Sequence, residues 1–170
     1  HKHSAEARTM RSTCPLNNLY VIPTASLADF HSPVTVDEAL ALKARHPQAR
    51  WIAGATDLGV NLSHGEAVAQ AFIALDRIAS LQDLHIGADA VTIGAGIPLT
   101  RLQVELAGVF PALDEMLRWF AARQVRNRAT LGGNIANASP AGDSLPVLSV
   151  YDAELWLGPR VNGEFARVPL

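Results

Sequence analysis

The sequence predicts an α+β fold in two lobes, a small α/β lobe followed by an antiparallel sheet lobe with helices. Three observations carry that prediction. A helix, a short strand and a glycine loop follow one another by residue 59. Short apolar strands separated by tight turns recur after it, and two helical stretches lie among them. A length of 170 residues suits one domain or two small lobes, and an apolar fraction of 49% allows a proper core.

Residues 1–29 show no sustained period and read as a linker or tag-like segment, with His1, Lys2 and His3 as a tag remnant or linker tail. The domain then covers 30–170, with a first lobe over about 30–90 and a second over 91–170. Thr35 and Glu38 form a capping box ahead of Ala39, Leu40 and Leu42, and Pro47 stops that helix. A strand over Arg50 to Ala53 runs into the glycine loop 53–59, and Ala71 to Leu75 reads as a buried strand. His85–Ile86 and Ala90–Ile93 flank the turn Gly87-Ala88-Asp89 as a hairpin. Helical stretches are expected at Leu99–Leu106, Ala112–Phe120 and Ser144–Val150, with a second glycine loop over Thr130 to Asn137. A last hairpin joins Glu154–Leu157 to Glu164–Val168 through Asn162-Gly163, a pair suited to positive φ. That strand runs to the terminus, so the second sheet is expected to be incomplete, as in a fragment.

Charge and cysteine usage narrow the function. The 14 Lys and Arg nearly balance the 16 Asp and Glu, leaving no whole-chain field to attract nucleic acid or an anionic membrane. No apolar stretch approaches the roughly 20 residues that span a bilayer, and the polar N-terminus lacks a signal-peptide core. Cys14 is the single cysteine, which excludes an internal disulfide or a multi-thiolate iron–sulfur or zinc site and fits a cytoplasmic protein. His31, His46, His64 and His85 stand at no metal-binding spacing, and Cys14 has no evident base beside it. If chemistry occurs here, a bound organic cofactor carries it.

Two glycine segments remain. Ala53-Gly54-Ala55-Thr56-Asp57-Leu58-Gly59 follows a strand, and its backbone can approach an anion closely. By itself the signal is weak, since a strand followed by a glycine turn is usually structural. Leu131-Gly132-Gly133-Asn134-Ile135-Ala136-Asn137-Ala138-Ser139-Pro140, with Asp143 beyond, is poor as core and poor as regular helix. Its asparagines suit ribose hydroxyls, a pyrophosphate and a heteroaromatic edge, or else an elaborate turn bonded to its own backbone. Gly94-Ala95-Gly96 opens like a dinucleotide fingerprint, but Leu99 stands at the third glycine and no acid follows at the usual spacing. Neither glycine segment ends as a P-loop does. Arg118, Arg123, Arg126 and Arg128 form a basic cluster that could face phosphate, an acidic partner or solvent.

The segment 53–59, together with Phe120, Gln124-Val125-Arg126-Asn127 and the run from Ala129 to Ser144, resembles the two flavin motifs of the molybdopterin dehydrogenase FAD-binding family. Their order and separation also match, over roughly residues 30–170. Ser139-Pro140 followed by Gly142-Asp143-Ser144 is similar to the xanthine dehydrogenase branch, and to its bacterial small subunit in particular. The resemblance implies that Ile52, Ala53, Gly54, Ala55, Thr56, Asp57 and Leu58 wrap the FAD pyrophosphate and adjoining ribose. It implies that Phe120 stacks on the isoalloxazine, although Phe120 also fits the apolar face of its own helix beside Leu113, Met116 and Leu117. Thr130, Gly133, Asn134 and Asn137 would contact the dinucleotide, and Asp143 would sit near the flavin.

The implied role is electron carriage from iron–sulfur clusters through FAD to NAD+ or oxygen. The [2Fe-2S] clusters and molybdopterin would lie only in partner domains or subunits of a hetero-oligomer. The flavin subunit of a carbon monoxide or aromatic-compound hydroxylase, and a flavin-free interaction fragment, are the rival readings. Ala55 departs from the Gly or Asn usual in the first motif, and members of the family continue beyond the final hairpin.

Overall fold

The computed structural model describes residues 29–64, 71–138, 142–158 and 164–170. Within them lie helices and short strands in an α+β arrangement with no closed barrel.

Three parallel strands, β1 (Asp29–His31), β2 (Arg50–Ile52) and β3 (Ala71–Ala74), form a sheet in the order β1-β3-β2. The central position of β3 explains its unbroken run Ala71-Phe72-Ile73-Ala74: all four residues are buried, as a strand flanked on both edges and covered on its faces requires. β1 starts at Asp29 and pairs Phe30 with Phe72, so the linker-like stretch gives way to structure slightly earlier than periodicity indicates.

α1 (Val36–Arg45) crosses from β1 to β2. Thr35 Oγ1 accepts from the Glu38 amide at 3.1 Å, while Glu38 returns to the Val34 amide at 2.9 Å, one residue upstream of the reciprocal bond expected. Ala39, Ala49, Ala71, Ile73 and Ile78 make a small core around this sheet.

After a 3-10 turn (Ala79–Gln82), β4 (Leu84–Ile86) and β5 (Val91–Ile93) pair antiparallel as expected. α3 (Leu99–Glu105), α4 (Pro111–Trp119), α5 (Arg123–Arg126), α6 (Leu131–Asn137) and α7 (Ser144–Val150) follow. Pro111 occupies the first turn of α4, where a missing N–H is harmless and φ is already helical. Leu99, Leu102, Leu106 and Leu117 have no exposed surface and centre a second, larger core, each contributing roughly 1.5–3 kcal/mol by burial. β6 (Glu154–Leu157) and β7 (Ala166–Pro169) pair antiparallel as the last ribbon. The Asn162-Gly163 turn lies outside the described residues.

Two expectations fail at the glycine segments. The first loop is confined to 53–55, because Thr56–Ser63 is the helix α2. The second is no loop: Leu131–Asn137 is helical despite its glycine pair, because Thr130 caps it and Leu131 anchors it in the second core.

Candidate functional site

Parallel strands end at the same edge of a sheet, and that edge is where open α/β sheets hold ligands. Here Ala53-Gly54 leaves β2 and Leu75-Asp76 leaves β3 side by side, tied by the Leu75 amide donating to the Ile52 carbonyl at 2.9 Å. The segment 127–130 closes over them. A Cβ on Gly54 would land on the Arg128 carbonyl, so only glycine permits that approach. On the far side, Leu99 donates to the Ala129 carbonyl at 2.9 Å and Leu131 to the Ile97 carbonyl at 3.2 Å. The result is a cleft of about 210 Å³ lined by Ala53, Gly54, Leu75, Asp76, Gln82, Gly96, Pro98, Asn127, Arg128 and Thr130. Pockets that enclose whole drug-sized ligands run to roughly 300–1,000 Å³, so this one accepts a sugar–phosphate-sized portion of a larger molecule.

The first segment offers an anion site at the cleft. Ala55 is left-handed, with φ 61°, and α2 begins directly after it. No side chain caps α2, and the amides of Thr56, Asp57 and Leu58 have no acceptor among the described residues. Unpaired first-turn amides and the positive end of the helix dipole together favour an anion such as phosphate. Ile52 and Leu58 are half-buried beside this turn and Asp57 is exposed.

The second segment is satisfied internally. Thr130, nearly buried, accepts the Gly133 amide at 3.1 Å. Asn134 Oδ1 accepts the hydroxyl of Ser144, which has no exposed surface. Asn137 and Asp143 are exposed, Asp143 at the start of α7 without a side-chain cap bond. Phe120 ends α4 half-buried against the second core. Of the residues singled out from sequence, the cleft therefore gathers Ala53, Gly54 and Thr130, with 55–58 continuing directly from it. Phe120, Gly133, Asn134, Asn137 and Asp143 do not line it.

Sequence reasoning missed Asp76, Gln82 and Gly96 as cleft residues, whereas Asn127 stood in the second motif and Arg128 in the basic cluster offered to phosphate. Asp76 had a readable signal: an acid just past a buried strand, about 20 residues after a glycine turn. Gly96 belongs to the tripeptide set aside as an incomplete fingerprint. It lies in the cleft wall, where a Cβ would come within 3.1 Å of the Leu81 carbonyl.

The basic cluster divides by role. Arg118 reaches Glu115 at 3.4 Å on the surface. Arg126 turns inward, Nη1 donating to the Phe120 and Ala121 carbonyls at 2.7 and 2.6 Å, and so holds the turn where Ala121 is left-handed. Arg128 lines the cleft. A further arginine, Arg101, bonds Glu105, which raises its pKa above the ordinary value, and donates to the Gln82 carbonyl at 2.6 Å. Among the described residues no group of three or more metal-ligating side chains gathers, and no helix is long and apolar enough to cross a membrane.

Residues 25–166 match the family described as the FAD binding domain in molybdopterin dehydrogenase. The chain belongs to this family. It is 35% identical over 137 residues to the xanthine dehydrogenase/oxidase of Mus musculus, a match covering 74% of this chain and 10% of that protein. The xanthine dehydrogenase of Emericella nidulans is also 35% identical over 137 residues, again 74% of this chain and 10% of the relative. The chain thus spans about a tenth of these relatives' length. Among solved structures, carbon monoxide dehydrogenase from Hydrogenophaga pseudoflava aligns with a TM-score of 0.75 and 30% identity, over 84% of this chain and 50% of that one. Quinoline 2-oxidoreductase from Pseudomonas putida, at 24% identity and a TM-score of 0.78, shares the fold.

The donor set fits FAD. Unpaired amides at the start of α2 suit a pyrophosphate, and the cleft beside them, with Asp76, Gln82 and Thr130 among its lining, has room and polar groups for a sugar.

Proposed function

We propose that this chain is the flavin-holding electron-transfer component of a molybdenum hydroxylase of the xanthine dehydrogenase type. The observation that carries the reading is the meeting of the two family motifs at the carboxyl edge of the parallel sheet, beside an uncapped helix start. FAD, when bound, supplies the redox chemistry that accepts single electrons and delivers pairs. The chain's own part is to hold and orient. The amides of Thr56, Asp57 and Leu58 bind the pyrophosphate, with Ile52, Ala53, Gly54 and Ala55 forming the floor of the approach. Thr130 fixes the wall opposite, while Gly133 and Asn134 shape α6 behind it. Asn137 and Asp143 are exposed where a ligand extending beyond the cleft can reach them. Phe120 meets the isoalloxazine only if it leaves its half-buried rest position.

On this reading residues 30–90 and 91–170 act as two lobes of one flavin domain in a cytoplasmic assembly. Electrons arrive from [2Fe-2S] clusters of a partner domain or subunit, which draws them from a molybdopterin-binding partner, and leave to NAD+ or oxygen. The sequence relatives named xanthine dehydrogenase support that branch, while the carbon monoxide dehydrogenase alignment keeps the neighbouring branch as the second reading.

The test is the absorbance spectrum of the purified chain after incubation with FAD and desalting. Retained flavin bands that bleach on NADH addition support the proposal. A colourless protein that melts cooperatively, and still binds iron–sulfur or molybdopterin partners, would reduce it to a scaffold.

A further inference from the structure

We propose that the carboxylate of Asp76 accepts a vicinal diol of the bound flavin dinucleotide, an inference that rests on the flavin reading above. Three observations converge on this residue. Asp76 follows the central strand β3 and lines the cleft beside Gly54, held there by the Leu75 amide on Ile52 and by Gln82 Nε2 donating to the Asp76 carbonyl at 2.6 Å. Its backbone is thus fixed, while its carboxylate is exposed and has no partner among the described residues, so it is free to meet a ligand. The cleft, at about 210 Å³, has room for a sugar–phosphate group.

A carboxylate offers acceptors only, and a vicinal diol presents two adjacent donors. In parallel α/β sheets, an acid after the strand neighbouring a glycine turn performs this task for nucleotide ribose. The other cleft groups divide the remaining work without competing for the diol. Arg128 lines the cleft where its backbone crosses Gly54, and the Asn127 side-chain carbonyl is already occupied by the Thr100 hydroxyl at 2.7 Å. FAD presents vicinal hydroxyls in two places, on the adenosine ribose and along the ribityl chain, and the same acceptor chemistry would serve either.

Calorimetric titration of the chain and of Asp76→Ala and Asp76→Asn with FAD, ADP and FMN tests the assignment, with thermal melting as a fold control. Loss of a hydrogen bond to a charged acceptor predicts FAD binding about ten- to a hundred-fold weaker in Asp76→Ala. Asp76→Asn, which keeps one acceptor and the shape, should lose less. An ADP affinity that falls while FMN is unchanged assigns the adenosine ribose, and the reverse assigns the ribityl chain. Wild-type binding of FAD with both variants unaffected overturns the role of Asp76 and leaves the flavin reading standing. A folded wild type that takes up no FAD, ADP or FMN overturns both.

Discussion

The first glycine segment opens on the cleft and the second lies behind its Thr130 wall, and they use glycine for different ends. Gly54 is small so that another segment of backbone can cross it, and the helix after it begins with its amides unclaimed. Gly132 and Gly133 are small so that α6 can lie against Ala95 and fold onto its own Thr130 cap: a Cβ at Gly132 would come within 2.6 Å of Ala95 Cβ, and one at Gly133 within 2.7 Å of Thr130 Oγ1. The first segment leaves polar groups open to a ligand; the second closes them on itself. A glycine-rich stretch is therefore a sign of close approach, and only an account of its N–H groups says whether the visitor is a ligand or the protein.

Substitutions can break or sharpen this contrast. The largest effect is expected at Gly54→Ala, because the new methyl meets a backbone carbonyl that cannot rotate away. A loss of about 3 kcal/mol is expected, at the upper end of the usual overpacking range, and chemical denaturation would read it. Unchanged stability would mean that the 127–130 crossing yields freely. Next, Asn134→Leu removes the acceptor of the fully buried Ser144 hydroxyl and should destabilise by roughly 1–3 kcal/mol. From sequence that substitution reads as a pure ligand-site change. A flavin affinity lowered with no loss of stability would restore that view. The smallest effect is expected at Ala55→Gly. It relieves a left-handed alanine, worth roughly 1–2 kcal/mol, against glycine's extra chain entropy of roughly 0.5–1 kcal/mol, leaving a gain of up to about 1.5 kcal/mol in the melting analysis. No gain would show that the rest of the turn sets that φ without strain.

Features encoded over a few residues were legible. The Thr35 cap on Glu38, the Pro47 stop, the 84–93 hairpin and the buried run at 71–74 each carry their own local signal and are present, the Glu38 return bond alone shifting to Val34. α6 was not legible, because two glycines lower helix propensity by roughly 1 kcal/mol each, and what offsets them is tertiary: Leu131 in the second core and Asn134 against Ser144. The cleft was half legible for a related reason. Ala53, Gly54 and Thr130 lie in motifs, whereas Asp76, Gln82 and Arg128 become neighbours only once β3 inserts between β1 and β2 and segment 127–130 crosses Gly54. The left-handed Ala55 gives a physical reason for the Gly or Asn usual in that motif, both being residues that adopt this conformation readily.

The Arg101 contacts have a mechanical consequence. Glu105 holds the guanidinium on α3, the guanidinium holds the Gln82 carbonyl, and the Gln82 amide holds the Asp76 carbonyl. Arg101 itself stands on α3, so Asp76 and α3 are coupled by a relay of two bonds, the Arg101 one charge-assisted and braced by Glu105 within the helix. To swing one wall of the cleft away from the other, a fluctuation must stretch that relay. The aperture consequently resists breathing at the point where Asp76 stands.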